Sequence, residues 1–203
     1  RVVSSASSHH YTAERQFRFP TEQGIQPVAS SQWTATAAGA VVLQKEGSGP
    51  RITCATIGKV VDWGQADASD MGSAMAPAAV DTIKMHLADL NRNADYYDLI
   101  VTGDLGKVGM AIAGQLFIKE GVVPMNNYSD CGVLLYDNQQ DINSGGSGCG
   151  CSAAMLCGPL LKKLVNGELA KLLLVGTGAL MSPTTSFQGE TIPGIAHAVA
   201  IEM

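Results

Sequence analysis

No apolar stretch in this chain approaches the roughly 18 residues that a membrane-spanning helix needs, so no span is expected. Nor is there a run of Lys and Arg interleaved with aromatics. The 13 basic and 18 acidic residues leave a net charge of −5, which excludes nucleic acid as a partner. The glycine-rich segment is not followed by Gly-Lys-Ser/Thr and has no acidic ribose partner, so neither phosphate-loop chemistry nor a dinucleotide fingerprint is complete. The five cysteines lack disulfide-framework spacing, and Cys149 and Cys151 stand too close for an unstrained bridge. A reducing, intracellular setting is expected. Zinc is excluded because Cys149-x-Cys151 has no second cysteine or histidine pair. The chain does not open on Met. Arg1 to Ala6 reads as the later part of a buried strand with no targeting pattern ahead of it, and a fragment of a longer protein is expected.

What is present is a 203-residue chain with 46% hydrophobic content, enough for one large or two small domains with a buried core. Val2 to Ala6 and Thr34 to Lys45 read as strands. The second is dense in small residues, which implies close packing by a neighbour. Between them lie His9 and His10, and then Arg15 and Arg18, which would point the same way on a helical turn and could clamp a dicarboxylate. Ile52 to Val61 is rich in β-branched residues and reads as a further strand, ending at Asp62-Trp63-Gly64. Ala74 to Leu90 has apolar positions at helical spacing, with Ser73 as cap and Pro77 in the first turn. A short buried strand at Tyr97 to Asp104, a helix from Lys107 to Lys119 and an apolar run Cys131 to Tyr136 follow. After them come a helix Cys151 to Asn166, a strand Lys171 to Gly176 with a turn at Gly178, and a closing strand Gly194 to Glu202. Strands alternating with helices predict a mainly parallel α/β sheet covered on both faces, with the site at strand C-terminal ends.

The stretch around which this order turns is Asn143 to Ala154, N-S-G-G-S-G-C-G-C-S-A-A. So many glycines argue against a packed helix or strand and for close approach of the backbone to something else. A small-residue loop opening a helix offers N–H groups to a carboxylate or oxyanion, and would lower the thiol pKa of Cys149 and Cys151. Glycine-rich turns are also common structural devices, and a buried cysteine usually packs as a small hydrophobe. Asp104, this loop and Gly176-Thr177-Gly178 are all expected near strand ends, and so in one pocket.

Several spaced blocks carry a resemblance. They are Thr12 to Arg18 with Pro20-Thr21-Glu22, Asp70 to Ala79, Thr102-Gly103-Asp104-Leu105, Asp130-Cys131-Gly132 and Gly145 to Cys149. To these are added Gly176 to Leu180 with Ser182-Pro183-Thr184, and Ile192-Pro193 with Ile195-Ala196-His197. With this element order the chain resembles the C-terminal part of thiolase-like proteins, and among them the stage V sporulation protein AD family. The resemblance implies a mixed, mainly parallel sheet with helices on both faces. Residues 1–50 would carry the last two strands of an N-terminal half, and 51–203 a complete C-terminal half.

Condensing enzymes of that superfamily need a Cys nucleophile with His/Asn or His/His partners. The nucleophile would lie upstream of this chain. Where the first His is expected the chain has Gly103-Asp104, and where the Asn is expected it has Ser147, so no catalytic residue is assigned and no Claisen chemistry is expected. The family resemblance implies instead a sporulation protein that binds dipicolinate, alone or with calcium. It implies work with membrane proteins of the same operon, an intracellular place in the forespore at the inner spore membrane, a role in germination, and homodimerisation through an upstream segment. Expected ligand contacts are Ser147, Gly148, Cys149, Gly178, Ala179, Asp104, Cys131, His197, Arg15 and Arg18, with no resident cofactor or metal. The alternatives are an acyltransferase of thiolase or ketoacyl-synthase type and a scaffold for membrane partners.

Overall fold

The computed structural model describes residues 1–10, 28–122, 126–137, 139–140 and 142–203. Arg15 and Arg18 lie outside the described residues. The strands are β1 (Val2–Ser8), β2 (Trp33–Thr34), β3 (Ala37–Leu43), β4 (Arg51–Ile57), β5 (Leu99–Thr102), β6 (Tyr128–Asp130), β7 (Gly146–Ser147), β8 (Lys171–Ala179) and β9 (Gly194–Glu202). The α-helices are α1 (Met71–Asp89), α2 (Gly106–Lys119), α3 (Cys131–Leu134), α4 (Cys149–Met155), α5 (Leu161–Val165) and α6 (Pro183–Phe187). A π turn at Leu156–Leu160 joins α4 to α5.

The main sheet runs β4-β9-β8-β5-β6. β6, β5 and β8 run parallel to one another, while β9 runs antiparallel to both β8 and β4. β5 and β8 are buried on both faces, so their sequences read as unbroken apolar runs. Along β5, Ile100 faces α1 and α2, and Val101 faces α4 and α5. The larger core lies under α1 and α2, with Ile83, Phe117, Leu173 and Val175. A second core with Met155, Leu160, Leu164, Leu172 and Ile201 lies under α4 and α5. The other side of α4 meets an antiparallel hairpin-like pair of β1 and β3.

Three details differ from the sequence reading. α1 begins at Met71 because Asp70, not Ser73, is its cap: the Asp70 carboxylate accepts from the Ser73 N–H at 3.1 Å and the Ser73 hydroxyl at 2.5 Å. Pro77 therefore lies inside the helix, where its missing N–H removes a bond, and burial of the surrounding face offsets that cost. β8 continues past Gly176 to Ala179, because β9 pairs with it as far as Gly194. Gly146 and Ser147 are a packed strand rather than open loop, since β2 takes their backbone in parallel register.

Candidate functional site

The parallel strand β5 delivers Asp104 to the C-terminal edge of the sheet, where Gly103 lets β8 come close: a Cβ on Gly103 would stand 2.6 Å from Thr177 Oγ1. The Thr177 hydroxyl donates to Asp104 Oδ1 at 2.7 Å and accepts from the Asp104 N–H at 3.0 Å. The second carboxylate oxygen, Oδ2, accepts from the Gly148 N–H at 2.7 Å. Gly148 has a φ of 95°, open to glycine and rarely to other residues, and it caps α4. One buried carboxylate thus joins the end of β5, the end of β8 and the glycine segment. The convergence expected from the sequence is present as direct contacts.

Two further buried side chains, neither expected at the site, hold this junction. Asp130, fully buried at the end of β6, accepts from the Thr102 hydroxyl at 2.7 Å and from the N–H groups of Leu105 at 2.8 Å, Gly106 at 2.9 Å and Gly132 at 2.9 Å. Burial pushes its carboxyl up to about 6. Those hydrogen bonds pull the other way, and the Asp104 charge adds to the rise. Gln32 donates from Nε2 to the carbonyls of Asp104 at 2.7 Å and Gly146 at 2.9 Å. Asp130, in Asp130-Cys131-Gly132, carries no spacing signal in the sequence, and Gln32 carries none at all. Thr177, between two glycines that drew attention, was the legible member of the set.

The other expected contacts fall in different places. Ser147 is buried in β7, in register with Thr34, and its hydroxyl bonds no described residue. Cys149 is exposed, and its thiol donates to the Ser7 carbonyl at 3.0 Å. Cys151 corrects the expectation of an acidified thiol: it is buried between α4 and the sheet, and burial, helped by Asp104 and Asp130, raises its pKa. Cys131 lies in the same core, fully buried, and its thiol too is pushed well up by burial. The glycine amides are less available than expected. Gly148 N–H is taken by Asp104, Gly150 N–H by the Ser8 hydroxyl at 3.1 Å, and Gly145 N–H by the Ile142 carbonyl at 3.1 Å. Gly178 and Ala179 sit in β8 opposite Ile195 and Gly194. His197 stands exposed on β9 opposite Gly176, and its Nδ1 accepts from the Gly58 N–H at 3.1 Å. No contact among the described residues joins His197 to Asp104 or Gly148.

Beside β7, His10 stacks on Trp33 with ring centroids 3.9 Å apart and 12° between planes. Among the described residues no group of three or more His, Cys, Asp or Glu could hold a metal ion, and no helix is long and apolar enough to cross a membrane.

Comparison with known proteins fits this frame. A solved structure of similar fold, "AbyA1 - tetronic acid condensing enzyme", superposes with a TM-score of 0.50 at 14% identity, over 84% of this chain and 53% of that one. It supports the thiolase-like α/β fold alone. Stage V sporulation protein AD of Bacillus subtilis (strain 168) is 50% identical over 202 residues, which span this whole chain and 60% of that protein. The profile of the stage V sporulation protein AD (SpoVAD) family matches residues 1–202, and the chain belongs to that family of sporulation proteins.

Proposed function

We propose that this chain forms most of a non-catalytic binding protein that holds dipicolinate, alone or with calcium, during its passage into the forespore. The observation that carries the non-catalytic part is the Asp104 carboxylate seated on the Gly148 N–H and the Thr177 hydroxyl. In a condensing enzyme, donors at such a strand-end junction stabilise a developing oxyanion. Here an internal carboxylate already uses them, and its charge opposes a carbanion or oxyanion beside it.

The dipicolinate part rests on the family. A flat diacid needs cations and polar donors for its carboxylates and small groups beside its ring. Ser147, Gly148, Cys149, Gly178 and Ala179 remain the proposed lining, with Arg15, Arg18 and His197 as counter-charges, and Cys131 packing behind the wall from the core. Calcium carried as cargo with the ligand would meet Asp104, since hard cations take carboxylate oxygens. Residues 1–50 and 51–203 are assigned to the first and second of two similar halves. Membrane proteins of the same operon are the proposed partners at the inner spore membrane.

Calorimetric titration of the full-length protein with sodium dipicolinate and with calcium dipicolinate tests this. Saturable heat is expected from at least one form. Ser147→Ala should weaken it severalfold with the melting temperature within about a degree, because the hydroxyl bonds no described residue and its loss leaves no described group unpaired. No saturable heat from either form would leave the scaffold reading in its place.

A further inference from the structure

The turn that ends α5 carries the dipeptide Asn166-Gly167. Asparagine is a labile residue because its side-chain amide can be lost. The loss is fastest where the next residue is glycine, whose backbone nitrogen no side chain shields. Of the seven asparagines in residues 1–203, only Asn166 precedes glycine; the others precede Arg, Ala, Asn, Tyr, Gln and Ser. Two of those are also pinned. Asn127 Nδ2 donates to the carbonyls of Ala94 at 2.9 Å and Tyr97 at 2.5 Å, and Asn143 Nδ2 donates to Ser31 Oγ at 3.0 Å.

The side chain of Asn166 is open and lightly held. Asn166, Gly167 and Glu168 are all exposed, and among the described residues nothing stands within 4 Å of where a Gly167 side chain would be. The carboxamide donates from Nδ2 to Glu168 Oε1 at 3.4 Å, a long contact. The firmer restraint is in the backbone. Gly167, at φ 75°, donates its N–H to the Leu164 carbonyl at 3.0 Å, and Glu168 donates to the Lys163 carbonyl at 2.9 Å. With Asn166 at ψ −5° the Gly167 nitrogen is turned away from the side-chain carbonyl carbon, and bringing them together needs a rotation that breaks the Gly167–Leu164 bond. α5 has only five residues, and exposed helix ends of this kind open locally.

We propose that Asn166 is a site of self-modification, at which the Gly167 nitrogen attacks the side-chain carbonyl carbon when this turn opens. The new N–C bond closes a five-membered imide, and the Gly167 proton leaves with the amide nitrogen as ammonia. Water then opens the ring at either carbonyl to give aspartate or isoaspartate, with nothing oxidised or reduced. Either product puts a carboxylate beside Glu168 at the negative end of α5. Isoaspartate also adds a carbon to the main chain between two anchored points. One is Leu164, fully buried, and the other is Ala170, whose N–H donates to Asp98 Oδ2 at 2.7 Å. The turn itself has to absorb the extra length. Its place apart from the Asp104 junction makes this independent of the ligand reading above.

The test holds the full-length protein in mildly alkaline buffer, folded and in urea, and follows every asparagine by peptide mapping with mass spectrometry. In the folded protein Asn166 should convert before any other asparagine of residues 1–203, giving both aspartate and isoaspartate. In urea its rate should rise by about tenfold or more, because the turn no longer holds the nitrogen. Asn166→Gln, whose longer side chain closes a ring far more slowly, should remove isoaspartate from this peptide. Another asparagine converting as early, aspartate as the sole product, or equal rates in buffer and urea would overturn the proposal, and so would an Asn166 that stays intact in the folded protein throughout.

Discussion

Asp130 shows how much one side chain can organise from the interior. Its carboxyl ties β5, the turn into α2 and the start of α3 through the Thr102 hydroxyl and the amides of Leu105, Gly106 and Gly132. Asp130→Ala would strand those buried donors, and chemical denaturation should register a loss of about 3–5 kcal/mol. His86 makes a separate prediction about pH. Arg92 Nη1 donates to the Tyr97 hydroxyl at 2.8 Å, that hydroxyl meets His86 Nε2 at 2.6 Å, and His86 Nδ1 meets Thr56 Oγ1 at 2.8 Å. With Tyr97 as donor to Nε2, a neutral imidazole satisfies every partner, and a second ring proton would face a hydroxyl hydrogen. Burial, then the Arg92 charge, lowers the His86 pKa, while Asp89 pulls it up. A folded pKa below the unfolded value means that this stability is complete above about 6.5 and is lost as pH falls below it. Asp130, raised to about 6, works in the opposite sense, gaining stability as pH falls from about 6 toward 4. Melting curves of wild type and His86→Gln between pH 7.5 and 5.5 should separate the two, with the variant losing less on acidification.

At this scale the sequence disclosed the residues that stand beside glycine, Asp104 and Thr177, because a glycine marks where chains approach. It could not disclose Gln32, whose partners lie 72 and 114 positions away.

Among the elements, α4 is tightly constrained from outside. β3 lies so close that a Cβ on Gly39 would strike the Ala153 carbonyl and come within 2.8 Å of Cys157 Sγ, and one on Gly150 would strike the Ala37 carbonyl. The small residues of β3, read in the sequence as a sign of a close neighbour, have this helix as that neighbour. Gly39→Val should push hairpin and helix apart and cost about 1–3 kcal/mol, seen as a lower melting temperature with the far-ultraviolet spectrum unchanged. The expectation of one helix from Cys151 to Asn166 missed two things that sequence periodicity does not encode. The helix starts earlier, at Cys149, because Gly148 turns the chain at positive φ. It then widens into the π turn at Leu156–Leu160, around Pro159, whose ring cannot donate to the ladder. The strand Tyr128–Asp130 was missed for a simpler reason: three residues ending in Asp show no alternation to read.

For the whole molecule, stability should be graded outward from the doubly covered strands. Leu172 and Leu173 of β8 and Ile100 and Val101 of β5 have no exposed surface, whereas Val2 and Val3 of β1 are 64% and 67% exposed. Hydrogen exchange followed by mass spectrometry should find β5 and β8 slowest and β1 much faster. The layered arrangement was legible because unbroken apolar strands alternate with helical periodicity, a pattern few architectures satisfy. The antiparallel place of β9 was not, since strand direction depends on a connection whose path no local signal fixes.

The claim on which the account turns is that Asp104 occupies, from within, the donors that acyl condensation would use. Intact mass spectrometry of the full-length protein after incubation with acetyl-CoA tests it most directly. The account predicts an unchanged mass, and a stable acetyl adduct on cysteine would contradict it.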